Sequence, residues 1–303
     1  MSDLLSLFLN NLLPIFLAAG AGYLLANRLK VPVRPLSQSA FYIFSPCLIF
    51  RLMTSTNLTG EEIGRAVLFS VAICLAMGIL AWITGRFLRF ERKLLAATAL
   101  ASMFTNAGNY GLAVTLFAFG EEALSYASIF FVTNALLAYS VGALIASLGS
   151  ATLAQSLKNL LRVPALYGML LGLGVMALDW QLPLPINRAI NLLADASIPV
   201  LLVVLGMQLQ ASQWHGNRLP LSVATGLRLL VAPVLAVSMS LIFGLRGAAN
   251  QALVLEASMP TAVLTTVIAT EYNLQPSFVT AVVFLTTLLS PLTLTPLLSF
   301  LGG

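Results

Sequence analysis

Two long hydrophobic segments of this chain are each interrupted near the middle by residues that could bind an anion. The first, residues 94–119, contains a stretch rich in glycine and asparagine, and the second, residues 248–270, contains a proline. Backbone that is broken inside a bilayer must line a cavity or be buried in protein, because lipid offers it no hydrogen-bond partners. A matching pair of such breaks is typical of the midplane binding site of a secondary transporter.

The chemistry of these breaks follows from the helix ends that they create. A half-helix that begins near Asn109 directs free backbone N–H groups into the membrane, and one that begins near Thr261 does so from the opposite side. Helix N-termini carry about half a positive charge and bind anions through backbone donors. Asparagine amides add donors, and glycines allow close approach of the backbone. The candidate substrate-binding residues at the breaks are Asn106, Gly108, Asn109, Tyr110, Met259, Pro260 and Thr261.

Two further polar residues lie inside other apolar segments. Ser45, which precedes a proline, and Asn134 are predicted to face the same cavity. A lone polar residue in a span also hydrogen-bonds to neighbouring helices in many proteins, and glycines are common in spans that only bend or pack. Both alternatives remain open from the sequence. Gly168 and Gly172 have the small-xxx-small spacing that predicts close helix packing.

Three of the charged residues inside apolar segments are candidates for ion coupling. Glu256 lies one turn before Pro260, and a charged carboxylate inside a membrane is costly and marks a functional site by default. Asp195 could face a water-filled crevice or the outer interface. Arg228 could balance either acid, contact an anion or extend to a lipid headgroup. We predict that Glu256, Asp195 and Arg228 include the residues that couple transport to sodium or to a proton.

Composition places the chain among integral membrane proteins. Hydrophobic residues make up 59% and charged residues 8% of its 303 residues, whereas soluble proteins carry about 25% charged residues. The net charge of +5 comes from basic residues at segment ends, which indicates membrane orientation rather than a nucleic-acid partner. The sequence shows no metal-binding spacing and no phosphate-binding glycine loop, so we expect no metal, no ATP hydrolysis and no enzymatic activity. The expected partners are the lipid bilayer and a small organic anion.

Ten segments have the roughly 20 mostly apolar residues that a bilayer-spanning helix needs. They lie near residues 4–26, 36–55, 63–84, 94–119, 124–148, 163–179, 186–209, 219–243, 248–270 and 277–300. The loops on one face carry Arg28, Lys30, Arg34, Arg86, Arg89, Arg92, Lys93, Lys158, Arg162 and Arg218. Positive loops stay in the cytoplasm, so both termini are predicted to be periplasmic.

Each half of the chain, residues 1–150 and residues 151–303, holds five of these segments. An odd number of spans per repeat inverts the second half relative to the first, as in transporters with a pseudo-twofold axis in the membrane plane. This pairing matches span four with span nine, which are the two broken ones. The predicted fold is an all-α integral membrane protein of ten transmembrane helices, in two inverted five-helix repeats with broken crossover helices four and nine.

Several motifs resemble those of the auxin efflux carrier family. Residues 256–263 (EASMPTAV) and 269–276 (ATEYNLQP) resemble the family's ninth helix, and residues 106–111 (NAGNYG) resemble its first crossover. Residues 196–199 (ASIP) and 205–207 (LGM) resemble its seventh helix. The likeness spans most of the chain and is most specific in its last third.

The resemblance implies a bacterial member, distantly related to plant PIN carriers, with a fold similar to that of bile-acid sodium symporters. It implies a homodimer that moves small organic anions, such as malonate, malate or auxin-like acids. We predict that the protein lies in the bacterial inner membrane and works by elevator-like alternating access, in which the broken pair moves with its substrate against a fixed scaffold. Carried onto this chain, the family's substrate contacts fall at Asn106, Asn109, Met259, Pro260 and Thr261, and on neighbouring helices at Ser45 and Asn134.

Two other functions stay open at this point. A cation/proton antiporter or a sodium-coupled symporter could use the same fold, although an antiporter site normally needs carboxylates where the first break has asparagines. A membrane-embedded sensor or enzyme is the other alternative, and the sequence offers no catalytic constellation for it. We expect no cofactor apart from coupling by sodium or a proton.

Overall fold

The computed structural model describes residues 2–56, 58–147, 161, 163–209, 216 and 218–302. Within these ranges the regular elements are helices, and one isolated antiparallel bridge joins two non-helical segments. The predicted boundary between the two halves, at residue 150, and the basic residues Lys158 and Arg162 lie outside the described residues.

The described helices are α1 (Leu4–Leu29), α2 (Val33–Ser55), α3 (Gly60–Phe87), α4 (Arg92–Met103), α5 (Ala107–Ala146), α6 (Pro164–Ala177), α7 (Leu184–Gln208), α8 (Arg218–Ile242), α9 (Gly247–Ala257), α10 (Leu264–Glu271) and α11 (Pro276–Leu301). In this part of the chain seven helices, α1, α2, α3, α5, α7, α8 and α11, are long and apolar enough to cross a membrane. The prediction of an all-α membrane protein is therefore confirmed at this level.

Three of the ten predicted spans are not single long helices. The fourth and the ninth are each divided by non-helical backbone, into α4 with the start of α5 and into α9 with α10. The sixth is the short helix α6, which has 14 residues. The interruptions have the local causes expected for glycine, asparagine and proline inside an apolar segment, since these residues favour non-helical backbone.

Helix α5 has 40 residues and contains one residue whose backbone is not helical. At about 1.5 Å per residue, a straight helix of this length would be about twice as long as the hydrocarbon core is thick. Gly120 has φ 77° and ψ −168°, a conformation that is essentially restricted to glycine. It divides α5 into a first limb that ends at Phe119 and a second limb that begins at Glu121.

Glycines set the distance between α1 and α7. The Cα of Gly22 faces the backbone carbonyl of Val203, and the Cα of Gly206 faces that of Ala19. A Cβ at either glycine would overlap the opposing carbonyl. The two helices therefore approach as closely as their backbones allow, which is how membrane helices gain packing energy without a hydrophobic driving force.

The same device joins α2 and α6. Gly168 faces the backbone of Pro46, and a Cβ at Gly172 would lie 2.7 Å from the Cβ of Met53. The small-xxx-small prediction for this pair is thus confirmed. The two broken spans lie deeper in the molecule, because residues 96–103 of α4 and residues 252–257 of α9 are buried without interruption.

Candidate functional site

The two breaks predicted from the sequence touch each other in the interior of the molecule. Residues 104–106 separate α4 from α5, and residues 258–263 separate α9 from α10. Thr105 and Thr261 form an antiparallel bridge between the two breaks. Segments that lie about 150 residues apart in sequence are therefore paired as a minimal two-stranded contact.

Backbone hydrogen bonds hold the two segments in register. The N–H of Asn106 donates to the carbonyl of Pro260 at 2.7 Å, and the N–H of Ala262 donates to the carbonyl of Phe104 at 2.9 Å. Inside a membrane protein these groups have no water to bind, so they must find partners within the protein. Pairing between the breaks supplies those partners and fixes where the neighbouring half-helices begin.

Three further hydrogen bonds that involve side chains support the contact between residues 104–106 and 258–263, which is called the crossing below. The hydroxyl of Thr261 donates to the carbonyl of Ala101 at 2.9 Å, and its N–H donates to the hydroxyl of Thr286 at 3.1 Å. The amide of Asn134 donates to the carbonyl of Thr105 at 3.0 Å. The polar residues of this region therefore satisfy backbone groups that the breaks leave free.

Arg228 binds the C-terminal ends of α4 and α9, the two helices that lead into the breaks. Its guanidinium donates to the carbonyl of Ser102, in the last turn of α4, at 2.9 Å and also to the carbonyl of Ala257, the last residue of α9. The residue is 1% exposed and lies in the π-helical turn Leu227–Val231 of α8. Helix C-termini present unpaired carbonyls and partial negative charge, and the forked guanidinium suits two acceptors at once. Arg228 thus caps α4 and α9 together.

Glu256 is a second buried charged-type residue beside the crossing. Its side chain is fully buried, and one carboxylate oxygen accepts a hydrogen bond from the hydroxyl of Thr115 at 3.3 Å. The other oxygen has no hydrogen-bond partner among the described residues. The carboxyl group lies directly against the Cα of Gly111, where a Cβ would overlap it. An unpaired carboxylate charge in such a place is expensive.

A cavity of about 630 Å³ opens beside the first break. This volume lies in the range of sites for small organic ligands. Five predicted substrate-binding residues line it: Ser45, Asn106, Gly108, Asn109 and Asn134. Its other polar lining residues are Arg34, Ser37, Gln38, Tyr42, Thr105, Tyr139 and Gln208. Within this second group, Tyr139 lies in the same apolar segment as Asn134 and could be expected from the sequence to face the cavity, whereas the others were not predicted as lining residues. Arg34 is the basic member of the group.

The start of α5 supplies hydrogen-bond donors to this cavity. The first helical bonds run from the N–H groups of Tyr110 and Gly111 to the carbonyl of Asn106, so the preceding N–H groups have no acceptor within the helix. The side-chain amide nitrogen of Asn106 is buried and has no hydrogen-bond partner among the described residues. The amide of Asn109 donates to the side-chain oxygen of Gln208 at 3.1 Å.

Four predicted substrate-binding residues lie outside the lining of this cavity. The hydroxyl of Tyr110 shares a 3.1 Å hydrogen bond with Ser290, and its ring packs edge-on against Phe16. The residues of the second break are buried in the crossing itself, namely Met259, Pro260 and Thr261. The second break instead contributes apolar neighbours to the cavity wall, among them Val263.

The three candidates for ion coupling occupy different environments. Glu256 and Arg228 are buried beside the crossing, and neither belongs to an ion pair within the described ranges. Asp195 forms an ion pair with Arg51 and has 68% of its side chain exposed. The structure therefore brings Glu256 and Arg228 to the breaks but places Asp195 at the surface of α7.

Gln208 is the lining residue that the sequence gave least reason to select. It is the last residue of the apolar helix α7, where a polar side chain usually marks the end of a span. Its partner Asn109 lies 99 residues earlier in the chain. Only the packing of α7 against the start of α5 brings the two amides together.

Comparison with known proteins places the chain in a family. Residues 7–298 match the family described as "Membrane transport protein". The chain is 31% identical to an "Uncharacterized transporter" of Methanothermobacter thermautotrophicus, over 81% of each chain. It is also 31% identical to a "Putative malonate transporter" of Rhizobium meliloti, over 94% of this chain and 93% of that protein.

A plant relative carries the resemblance noted in the motifs. "Auxin efflux carrier component 3a" of Oryza sativa subsp. japonica is 31% identical over 45% of this chain and 23% of the plant protein. The resemblance to auxin efflux carriers is therefore confirmed. The chain is a multi-pass membrane protein that belongs to the membrane transport family which includes the auxin efflux carriers.

Proposed function

We propose that this protein is a secondary transporter that binds a small organic carboxylate in the cavity beside the first break. One observation carries the proposal: Asn106 and Asn109, at the N-terminus of α5, line a cavity of about 630 Å³, and the side-chain nitrogen of Asn106 has no hydrogen-bond partner among the described residues. Such a set suits an anion without a lysine or arginine at its base. The 31% identical relative that is named a malonate transporter supports a carboxylate as the ligand.

The proposed topology has ten membrane passes. Helices α1, α2, α3, α6, α7, α8 and α11 each cross once. The fourth pass combines α4 with the first limb of α5, and the second limb of α5 is the fifth. The ninth pass combines α9 with α10. The turn at Gly120 supports this division, since α5 is too long for one crossing.

Helix contacts support two inverted repeats under this numbering. In an inverted repeat, α1 corresponds to α6 and α2 corresponds to α7. The packed pair α1 and α7 then corresponds to the pair α6 and α2, and both pairs are in contact. In the same way, the pair α3 and α4 corresponds to the pair α8 and α9. The pair α4 and α11 corresponds to α9 and the second limb of α5. Helix α3 packs on α4, α8 on α9, α11 on α4 and α5 on α9. A pseudo-twofold relation accounts for all of these pairs.

We further propose elevator-like alternating access. Helices α1, α2, α6 and α7 would form the fixed frame, because close glycine contacts join α1 to α7 and α2 to α6. The broken spans would carry the substrate past this frame. Arg34 lines the cavity from the first turn of α2, at the end of the helix that the positive-inside rule assigns to the cytoplasm. The cavity would then face inward, in a homodimer in the bacterial inner membrane with periplasmic termini.

Coupling is proposed to pass through Glu256, with a proton or sodium as the coupling ion. Its carboxyl group is buried against Gly111, one turn from the donors of α5, and one of its oxygens has no hydrogen-bond partner among the described residues. Glu256→Gln keeps the shape and removes the charge. In proteoliposomes, we expect this variant to lose accumulation against a gradient while retaining counterflow exchange. Unchanged accumulation would remove Glu256 from the mechanism.

Ligand binding tests the main proposal directly. We expect malonate, malate or indole-3-acetate to raise the melting temperature of the purified protein, because ligands that bind the folded state stabilise it by mass action. The uncharged diamide of malonate is the matched control and should give no comparable shift. Equal shifts for malonate and its diamide, or none for all three acids, would contradict a carboxylate site.

A cation/proton antiporter is the second candidate, and the buried Glu256 is the observation that favours it. Flux assays in proteoliposomes separate the two functions. Sodium or proton exchange without an organic anion would favour the antiporter, whereas uptake of radiolabelled carboxylate would favour the anion transporter.

A further inference from the structure

We propose that Gln208 is a built-in competitor of the substrate, whose side-chain oxygen occupies a donor that a bound carboxylate needs. The inference rests on the carboxylate site proposed above. It assigns to Gln208 control of affinity rather than direct substrate binding. The residue would therefore set ligand affinity from the wall of the cavity.

The geometry places the two amides in direct competition with a ligand. The side-chain nitrogen of Asn109 donates to the side-chain oxygen of Gln208 at 3.1 Å, and both residues line the cavity. Each is half-buried, so the bond lies at the cavity wall and not in the packed interior. Asn109 belongs to the first turn of α5, which also carries the N-terminal N–H groups that have no acceptor within the helix.

The chemistry of the acceptor explains how the pair would work. An amide oxygen is a neutral acceptor, and a carboxylate oxygen forms hydrogen bonds that are roughly twice as strong. An incoming anion would find the amide of Asn106 without a partner among the described residues. The amide nitrogen of Asn109 has two N–H groups, and an anion that bonds to the one held by Gln208 has to displace Gln208 from it. Breaking that neutral bond would weaken ligand affinity by about two- to tenfold.

The same contact joins α7, in the proposed frame, to the start of α5, in the broken span. Gln208 ends α7, which packs on α1 and α2, whereas Asn109 follows the first break. A carboxylate that takes the place of the Gln208 oxygen would therefore remove a bond between the frame and the broken span. Substrate binding and release of that contact become one event.

Substitution of Gln208 distinguishes a competitor from a ligand. Gln208→Leu and Gln208→Met keep the size of the side chain and remove its acceptor. We expect either variant to bind malonate, malate or indole-3-acetate about two- to tenfold more tightly than the wild type in calorimetric titration. Gln208→Glu places a fixed carboxylate at the same position and should weaken binding at neutral pH by at least that factor.

Asn191→Leu is the matched control, because Asn191 donates to Asn187 on the same helix α7, at 3.3 Å and outside the cavity lining. It should leave affinity unchanged. Weaker or unchanged binding in both Gln208→Leu and Gln208→Met would overturn the competitor role. If the wild type binds an acid and only this ordering fails, the proposed carboxylate site survives; if no variant binds any of the three acids, both proposals fail.

Discussion

The two breaks share one backbone design but present different surfaces to the cavity. The first break and the turn after it offer Asn106 and Asn109, whereas Met259 and Thr261 of the second break are buried in the crossing. The end of the second break and the helix after it contribute apolar residues to the wall of the cavity, such as Val263 and Val267. The cavity wall is therefore polar at the first break and apolar at the second.

The paired breaks were predicted to bind the substrate together, but their different surfaces suggest that the first break binds the ligand and the second holds the crossing together. The polar side suits the charged group of a ligand, and the apolar side suits its carbon skeleton. The buried second break instead holds the crossing together, with Arg228 bound to both incoming helices. Substitutions in the two breaks should consequently affect different measurements.

Removal of Arg228 should have the largest effect, because both breaks depend on it. Arg228→Met leaves the carbonyls of Ser102 and Ala257 buried without that donor, and each lost partner costs about 1–3 kcal/mol. We expect a large fall in melting temperature in detergent. Arg228→Lys cannot form the same forked pair of bonds, so its melting temperature should lie between those of the wild type and Arg228→Met. A melting temperature equal to that of the wild type in Arg228→Met would show that the crossing does not need the guanidinium.

Asn106 and Met259 provide the sharpest contrast in ligand binding. Asn106→Ala removes a donor to the proposed carboxylate, and bonds to charged groups contribute about 1.5–3 kcal/mol, which corresponds to a loss of affinity of roughly 10- to 150-fold. Met259→Leu conserves volume in the buried break and should leave affinity unchanged. Titration of both variants with the same acid checks the contrast, and equal losses would mean that both breaks contact the ligand.

Thr261→Val should lower stability without changing affinity. The variant loses the hydroxyl bond to the carbonyl of Ala101, although the N–H bond to Thr286 remains. Side-chain hydrogen bonds inside membrane proteins contribute about 0.6 kcal/mol on average. The control is Thr270→Val, whose exposed hydroxyl bonds only within its own helix. Thermal unfolding should separate them, and a loss of ligand affinity in Thr261→Val would place that residue in the binding site.

Asp195→Asn should have the smallest effect. The residue forms an exposed ion pair with Arg51, and such pairs contribute about 0–1 kcal/mol. We expect ion-dependent accumulation to match that of the wild type, in contrast to Glu256→Gln. Loss of accumulation in the Asp195 variant would instead assign coupling to the surface of α7.

The positions of the breaks could be predicted from the sequence because their causes are local. Glycine, asparagine and proline interrupt an apolar helix wherever it lies. The direction of each side chain could not be predicted, since it depends on where the next half-helix begins. The π-helical turn Ala107–Gly111 directs Tyr110 toward Ser290 while its neighbour Asn109 faces the cavity.

Long-range partners were the other part that the sequence could not supply. The sequence suggested an acidic residue, an anion or a lipid headgroup as the partner of Arg228, and the structure shows a different one, the carbonyls of two helix ends. Free carbonyls leave no mark in composition or periodicity, because every helix has them. Gln208 was missed for a related reason, as its partner is 99 residues away.

The turn at Gly120 has a mechanical consequence. With a single non-helical residue between its limbs, α5 has no slack at this end, so a tilt of the second limb must pull on the first limb and on the asparagines at its base. A flexible insert after Gly120 would leave both limbs intact but would uncouple their movements, so that a tilt of one limb would no longer move the other.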